Sequence, residues 1–534
     1  SASVGSVVVN NGGTLLVNAN NSSSLPVGNL TLNTNGILNL SYNFSGGNPT
    51  VAAIAVSGNL ASPGTNIIRI SSYGVTPGQF PLISYTTFSA SLNNFILSLP
   101  SGVSGTLVND SVNHVIDVNV TGVSPATWIP LTASDATGTS SFTNSANWQN
   151  ASPPTAGNGY YTQGNVMRSP ADTNNYTFGG SALSIDQYGF AGNVGGRLLL
   201  KASGNATITI NNLILNGGLL DYANTADIGT KTLAGNVLLN SGTTSYIGAL
   251  AGPGYSETLI ITAPISGSGN LQIGGNNVNA AADIGAVEMN AANTYSGSTT
   301  VATGSLLVNG SVANVPVTVL TNATLGGLGS IGGAVTVQAG ATLAPGIPAS
   351  GALTNTIGTL TVGGAVLVSG TVVMSINRGA SPNSDELNAS SLTINSGVTL
   401  TVNNVGSTNL AAGDTFILFS APVSGIFSVT NLPALPNSNL TWTNELALNG
   451  TIAVISTVSG PTGPGVLTNS YNAAGNVLTL SWPANQGWRL QAQTNSVSIG
   501  LSTNWVYVTD STVSSTNINV STANGVGFYR LVYP

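Results

Sequence analysis

The sequence predicts an all-β chain, most of it a β-solenoid, with a small C-terminal β-sandwich. Three observations carry this: a nine-residue phrase that returns six times, an 18-residue spacing among three of its copies, and a near absence of helical periodicity. V-x-V, L-x-L and I-x-I alternations run throughout, bounded by turns such as Asn11-Gly12, Asn35-Gly36, Asn216-Gly217, Asn309-Gly310 and Asn449-Gly450.

The phrase begins at Val7 (V-V-V-N-N-G-G-T-L), Leu30, Thr299, Val317, Val335 (V-T-V-Q-A-G-A-T-L) and Leu392. Three β-favouring residues lead into a turn whose sixth position is always Gly or Asn: Gly12, Asn35, Gly304, Asn322, Gly340 and Gly397. These two residue types enter the left-handed backbone region at least cost, so the position reads as a bend. The copies at 299, 317 and 335 follow one another without slippage, as short strands stacking rung on rung would require.

Charge is scarce. With 8 Lys+Arg and 15 Asp+Glu in 534 residues, charged side chains make up 4%, against about a quarter in ordinary globular proteins. General acids, bases, phosphate clamps and hard-metal cages therefore have few candidates, and catalysis is not expected. The eight cations (Arg69, Arg168, Arg197, Lys201, Lys231, Arg378, Arg489, Arg530) read as scattered, which argues against nucleic-acid binding. The chain has no Cys, which removes disulfides and thiolate metal sites. No apolar run reaches the ~18 residues of a membrane-spanning helix. Few charges and much Asn, Ser and Thr point to an extracellular or bacterial cell-surface location. Ser1-Ala2-Ser3 carries neither an initiator Met nor a charged leader, so either a signal peptide has been removed or the chain belongs to a longer precursor; its opening almost at once inside a copy of the phrase makes processing from a larger array at least as good an expectation.

A longer repeat overlies the short one. Residues 29–123 and 358–456 share an order of features: the phrase, then P-G-Q-F-P-L-I at Pro77 or A-G-D-T-F-I-L at Ala412, then Phe95 to Pro100 or Phe427 to Pro433, then a closing strand. The expected organisation is a solenoid unit over 1–123 and a second over 124–456 with an aromatic-rich insertion at 124–180. A Pro/Gly/Ser linker over 457–466 and a C-terminal sandwich over 467–534 follow.

The stretch from Asn293 to Gly346, N-T-Y-S-G-S-T-T-V-A-T-G-S-L-L-V-N-G onward to G-A-T-L-A-P-G, resembles the autotransporter-associated β-strand repeat of bacterial passenger domains. I-S-G-S-G-N-L at Ile265 and G-D-T-F-I-L at Gly413 flank it in the expected order. The opening around Trp128 and Trp148 and the C-terminal module, from L-T-L-S-W-P to F-Y-R-L-V-Y-P, resemble large secreted repeat proteins of Verrucomicrobia-like bacteria. The passenger resemblance implies a right-handed parallel β-helix, export and a surface or extracellular life, and it implies no catalytic residues. Autotransporters end in a transmembrane β-barrel. Residues 467–534 are too short for one, so this module is expected to serve as a sorting tag or a packing element.

Candidate sites are few. His114, the single histidine, lies three residues from Asp117 and reads as a plain strand residue. Asp385 and Glu386, with Asn383, offer oxygens to Ca²⁺, but a solvated loop is the favoured reading. Asp221/Asp227 and Asp283/Glu288 lack cationic companions at rung spacing, so a carbohydrate-cleaving site is not expected. Trp128, Trp148, Tyr160, Tyr161 and Tyr176 form either an aromatic plug, the favoured reading, or stacking faces for sugars, with Trp128 and Trp148 the candidate glycan contacts. Sequons at Asn20, Asn29, Asn43, Asn175, Asn205, Asn322 and Asn439 read mostly as chance. No cofactor or metal is expected.

The leading expectation is an extracellular structural protein that assembles head to tail with itself into fibres or a surface layer, because stacked rungs leave free strand edges at their ends. The alternative is a cell-surface adhesin that binds glycans or neighbouring cells.

Overall fold

The structure, a computed structural model, describes residues 4–19, 22–42, 47–70, 74–100, 102–124, 127–132, 142–186, 196–222, 230–252, 255–274, 284–349, 353–421, 423–457, 465–483, 487–509, 513–521 and 526–533. Ser1 to Ser3, Asn20, Asn43, Asp227, Asp283 and linker positions 458–464 lie outside them. The chain forms two compact units, Ser1–Thr356 with Leu360–Thr371, and Ile357–Thr359 with Val372–Pro534.

The first unit contains two parallel stacks. In the first, Val7–Val9, Leu30–Leu32, Ile54–Ala61 and Gly78–Ser89 form one sheet, and Thr14–Ala19, Ile37–Tyr42, Asn66–Ile70 and Phe95–Ser98 form another. Alternate residues point inward, so Leu30, Leu32, Leu38, Leu40, Ile68 and Ile70 are fully buried in a common core. The parallel order then stops. Val115–Val123 turns back antiparallel on Gly78–Ser89, with Val118 opposite Phe80, and Val103–Asp110 pairs antiparallel with it in turn.

In the second stack the rungs have three faces. One inward ladder runs unbroken through Met167, Leu198, Leu220, Ile247, Ile273, Val301, Val319, Val337 and Val368, each directly beside the next. All nine side chains are buried. Val317 stands between Thr299 and Val335, so the 18-residue spacing of the phrase is one rung. The six bend positions all have positive φ: 69° at Gly12, 61° at Asn35, 68° at Gly304, 67° at Asn322, 76° at Gly340 and 89° at Gly397.

The second unit continues with parallel pairs, Glu386–Ile394 with Val423–Ser424 and Thr399–Asn404 with Val429–Asn431. An antiparallel sheet follows, in which Thr451–Ser456 lies between Thr415–Ile417 and Leu440–Glu445. Phe416 faces Ile452 there as Phe80 faces Val118, so the long sequence repeat is also a repeat of topology. Two three-stranded antiparallel sheets complete the unit: Thr468–Asn472, Val477–Ser481 and Ser515–Asn519, then Arg489–Asn495, Val506–Tyr507 and Val526–Val532. Leu480, Trp482 and Leu490 form their core. The fold class is thus a parallel β-solenoid with a small C-terminal β-sandwich. Among the described residues no helix is long and apolar enough to cross a membrane.

Candidate functional site

Rungs of the second stack before residue 290 lack the phrase, and among the described residues they hold five of the eight buried charged side chains: Asp186, Asp221, Lys231, Glu257 and Glu288. Arg197–Leu200 lies between Val166–Arg168 and Leu219–Tyr222, with Val166, Arg197 and Leu219 aligned, and Arg168, Leu199 and Asp221 aligned. Because Met167, Leu198 and Leu220 point into the core, strand alternation turns Arg168, Arg197 and Asp221 to the outer face. That face is covered as well, since Leu199 packs on Leu250 and Val166, and the Asp221 side chain is only 1% exposed.

Arg197 Nη2 lies 3.6 Å from Asp221 Oδ2, across one rung. Glu257, also buried, accepts a hydrogen bond from the Leu250 backbone N–H at 3.3 Å. Burial holds the Lys201 ammonium below its usual range, and the neighbouring Arg168 charge adds to this, while Glu257 and Asp221 act in the opposite sense. Lys231 is buried with its Nζ over the Tyr222 ring, 4.8 Å from the centre, donating to the Tyr222 hydroxyl at 3.2 Å and to the Gly204 carbonyl. Two expectations are corrected here. The cations are not all scattered, since Arg168 and Arg197 both act on Lys201, and Asp221 has a cationic companion, Arg197, one rung away.

A second polar stack runs along the axis. Asp186 and Asn216 are register partners, with Asn216 Nδ2 donating to the Asp186 carboxylate at 3.4 Å and Asn240 Nδ2 donating to Asn216 Oδ1 at 2.8 Å. The Ser184 hydroxyl also donates to Asp186. Burial pushes the Asp186 carboxyl up to about 6, more than these hydrogen bonds lower it.

The arrangement fixes rungs against one another. Asp221 is engaged by Arg197, and Asp186 is locked into an amide stack, so neither is set up as a free general acid or base. Among the described residues, no three His, Asp or Glu side chains gather where they could hold a metal ion.

Of the insertion's aromatic candidates, Trp128, Trp148, Tyr160 and Tyr161 lie inside. Trp148 is 1% exposed, donates from Nε1 to the Phe142 carbonyl at 3.0 Å, and meets Tyr160 edge-on at 4.7 Å. Phe178 packs edge-on against Tyr160 and Phe142, each at 5.6 Å. Trp128, 9% exposed, clusters with Tyr161, Ala182 and Ile214. A sugar needs an open ring face, and burial denies it to both tryptophans; the geometry is that of a plug. Tyr176 lies apart, donating to Asp172 at 2.7 Å.

His114 is in the turn before Val115–Val123, at φ 56°, edge-on to Tyr85, rather than in a strand. The Asp117 carboxylate instead accepts from Gln79 Nε2 at 2.7 Å. Asp385 is buried, not in a solvated loop: its two oxygens accept from the backbone N–H groups of Gly358 at 3.0 Å and Ser375 at 2.6 Å, and burial raises its carboxyl to about 6. Asn383 Nδ2 donates to the Thr415 carbonyl at 3.0 Å. Glu288 accepts from Asn309 at 3.1 Å, and burial raises its pKa. The Arg197–Asp221 pair was not legible beforehand, because only the phrase reveals rung length and these rungs lack it.

The fold and these contacts define a parallel β-solenoid whose rungs are tied to one another by buried polar groups. No family model matches the chain. It is similar to Adhesin BmaC autotransporter of Brucella suis biovar 1 (strain 1330), 36% identical over 132 residues, which is 24% of this chain and 3% of that protein. The chain therefore matches only a small part of that relative's length. Nothing in this similarity bears on the likeness to proteins of Verrucomicrobia-like bacteria.

Proposed function

We propose that the chain is a non-catalytic structural element displayed at the cell surface, and that it makes adhesive contacts through its uncharged flanks. The observation that carries this is a set of hydroxyl ladders on the rungs that hold the phrase. Thr300, Thr318 and Thr336 stand side by side, as do Ser305, Thr324 and Thr342, and Ser311, Ser330 and Thr361. Each side chain is only partly buried. Such a surface carries regularly spaced donors and acceptors with no charge to repel a partner, and the relative's printed name, an adhesin, agrees with this use.

Adherence of a non-adherent laboratory bacterium displaying the chain tests the reading. Retention on host-cell or glycan-coated surfaces above that of undisplayed cells is expected, and equal retention would count against it.

Head-to-tail assembly is the second reading, favoured by the scarcity of charge that would otherwise repel along a shared axis. It would have to accommodate the antiparallel strands that end the first stack, because they replace the free parallel edge on which another rung would grow. Filaments in electron micrographs of the purified chain would support it, and uniform single particles at high concentration would end it.

A further inference from the structure

The C-terminal module leaves a dense run of apolar side chains in water: Val497, Ile499, Leu501, Val506, Tyr507 and Val508 are all exposed, Ile499 and Leu501 at 65% each. Exposed apolar side chains are unfavourable in water, and six of them within residues 497–508 point to a contact site. The exposure is built into the structure. Buried Gln493 clamps the loop through Ser502, donating from Nε2 to its carbonyl at 2.9 Å and accepting its N–H at 2.7 Å. Asn495 Nδ2 donates to the Gly500 carbonyl at 2.6 Å, and Ile499 N–H closes the turn onto Ser496 at 3.0 Å. The backbone is thus satisfied toward the sheet while the apolar side chains remain outside.

Two cations flank this run. The Arg530 guanidinium lies over the Trp505 ring at 4.2 Å, aimed by Gln491 Oε1 at 2.7 and 2.9 Å, and Arg489 lies over Tyr507 at 5.7 Å. Residues 467–534 contain Arg489, Arg530 and Asp510, one net positive charge in a chain of −7. The module thus carries a small net positive charge, with both arginines beside the apolar run.

We infer that residues 497–508 are an interfacial anchor for an anionic lipid surface. Val497, Ile499, Leu501 and Val506 enter the boundary of the acyl region, Trp505 and Tyr507 sit at headgroup depth, and Arg489 and Arg530 meet lipid phosphates. The inference is independent of the adhesive reading, which concerns the solenoid flanks.

Co-sedimentation of the whole chain with vesicles tests it, comparing 3:1 phosphatidylcholine:phosphatidylglycerol with phosphatidylcholine alone. The chain should pellet with the anionic vesicles, less so as salt is raised, and Ile499→Ser with Leu501→Ser should weaken partitioning about tenfold or more. Both positions are exposed, so thermal melting should match the parent; Val497→Ser is the second variant if it does not. Three results would overturn the inference: no pelleting with either vesicle, variants that partition like the parent, or a lipid-free dimer of the parent that the substitutions abolish, which would assign the patch to a second copy.

Discussion

Arg197 reaches Asp221 from the neighbouring rung, guanidinium to carboxylate at 3.6 Å, with the Asp221 side chain almost wholly shielded from water. A buried pair is costly to break from one side because the other charge stays behind. Arg197→Met should lower stability by about 3–5 kcal/mol in urea denaturation, and adding Asp221→Leu should recover much of the loss. A single variant as stable as the parent would mean the pair does not hold these rungs.

The bends can be tested free of packing at Gly397, where φ is 89° and an added Cβ would meet nothing within 4 Å. Gly397→Ala should cost about 1 kcal/mol from backbone strain alone. Gly340→Ala should cost more, because its Cβ would come 2.8 Å from the Thr321 side chain. Asn322→Gly, at φ 67°, should be nearly neutral in thermal melting.

Stability should fall as pH rises. Asp186 and Asp385 have folded pKa values raised from 3.8 to about 6, so between those values the folded chain binds more protons than the unfolded one. Each group then penalises the folded state as it ionises, fully so above about pH 6, on the order of 2–3 kcal/mol. The melting temperature should rise on acidification from pH 7 to pH 4, and a fall across that window would contradict the burial argument.

The two carboxyls should respond differently to amide replacement at neutral pH. Asp186→Asn extends the stack of Asn216 and Asn240 and removes a buried charge, so it should stabilise. Asp385→Asn turns an amide donor toward one of two backbone N–H groups, Gly358 or Ser375, and should destabilise by about 1–3 kcal/mol. Urea denaturation of both variants separates the cases.

Trp148→Ala should cost about 3–5 kcal/mol, since the ring fills the plug against Tyr160 and bonds the Phe142 carbonyl. A near-neutral result in the same assay would mean the plug does not support the start of this stack.

Much of the fold was legible because the phrase encodes both bend and rung: Gly304, Asn322 and Gly340 all take positive φ, and their copies stack one phrase per rung. The antiparallel ends were legible only as a repeated order of features, with Phe80 and Phe416 marking the same strand; that the strands reverse there is a tertiary choice. The charge cluster was hidden because the rungs that carry Arg197, Leu219 and Tyr246 differ in length. His114 was misread because its left-handed turn interrupts an otherwise regular alternation. Trp128 and Trp148 were recognised as important, but sequence alone could not decide which way their rings face.

The central claim, that the phrase stacks in register one copy per rung, can be read directly because the chain has no native cysteine. Nitroxide labels on Thr318→Cys with Thr336→Cys should sit on adjacent strands about 5 Å apart and give a strongly broadened electron paramagnetic resonance spectrum. The pair at Thr300 and Thr336, two rungs apart, should broaden less. A Thr318/Thr336 spectrum no broader than those of the single labels would contradict the solenoid register.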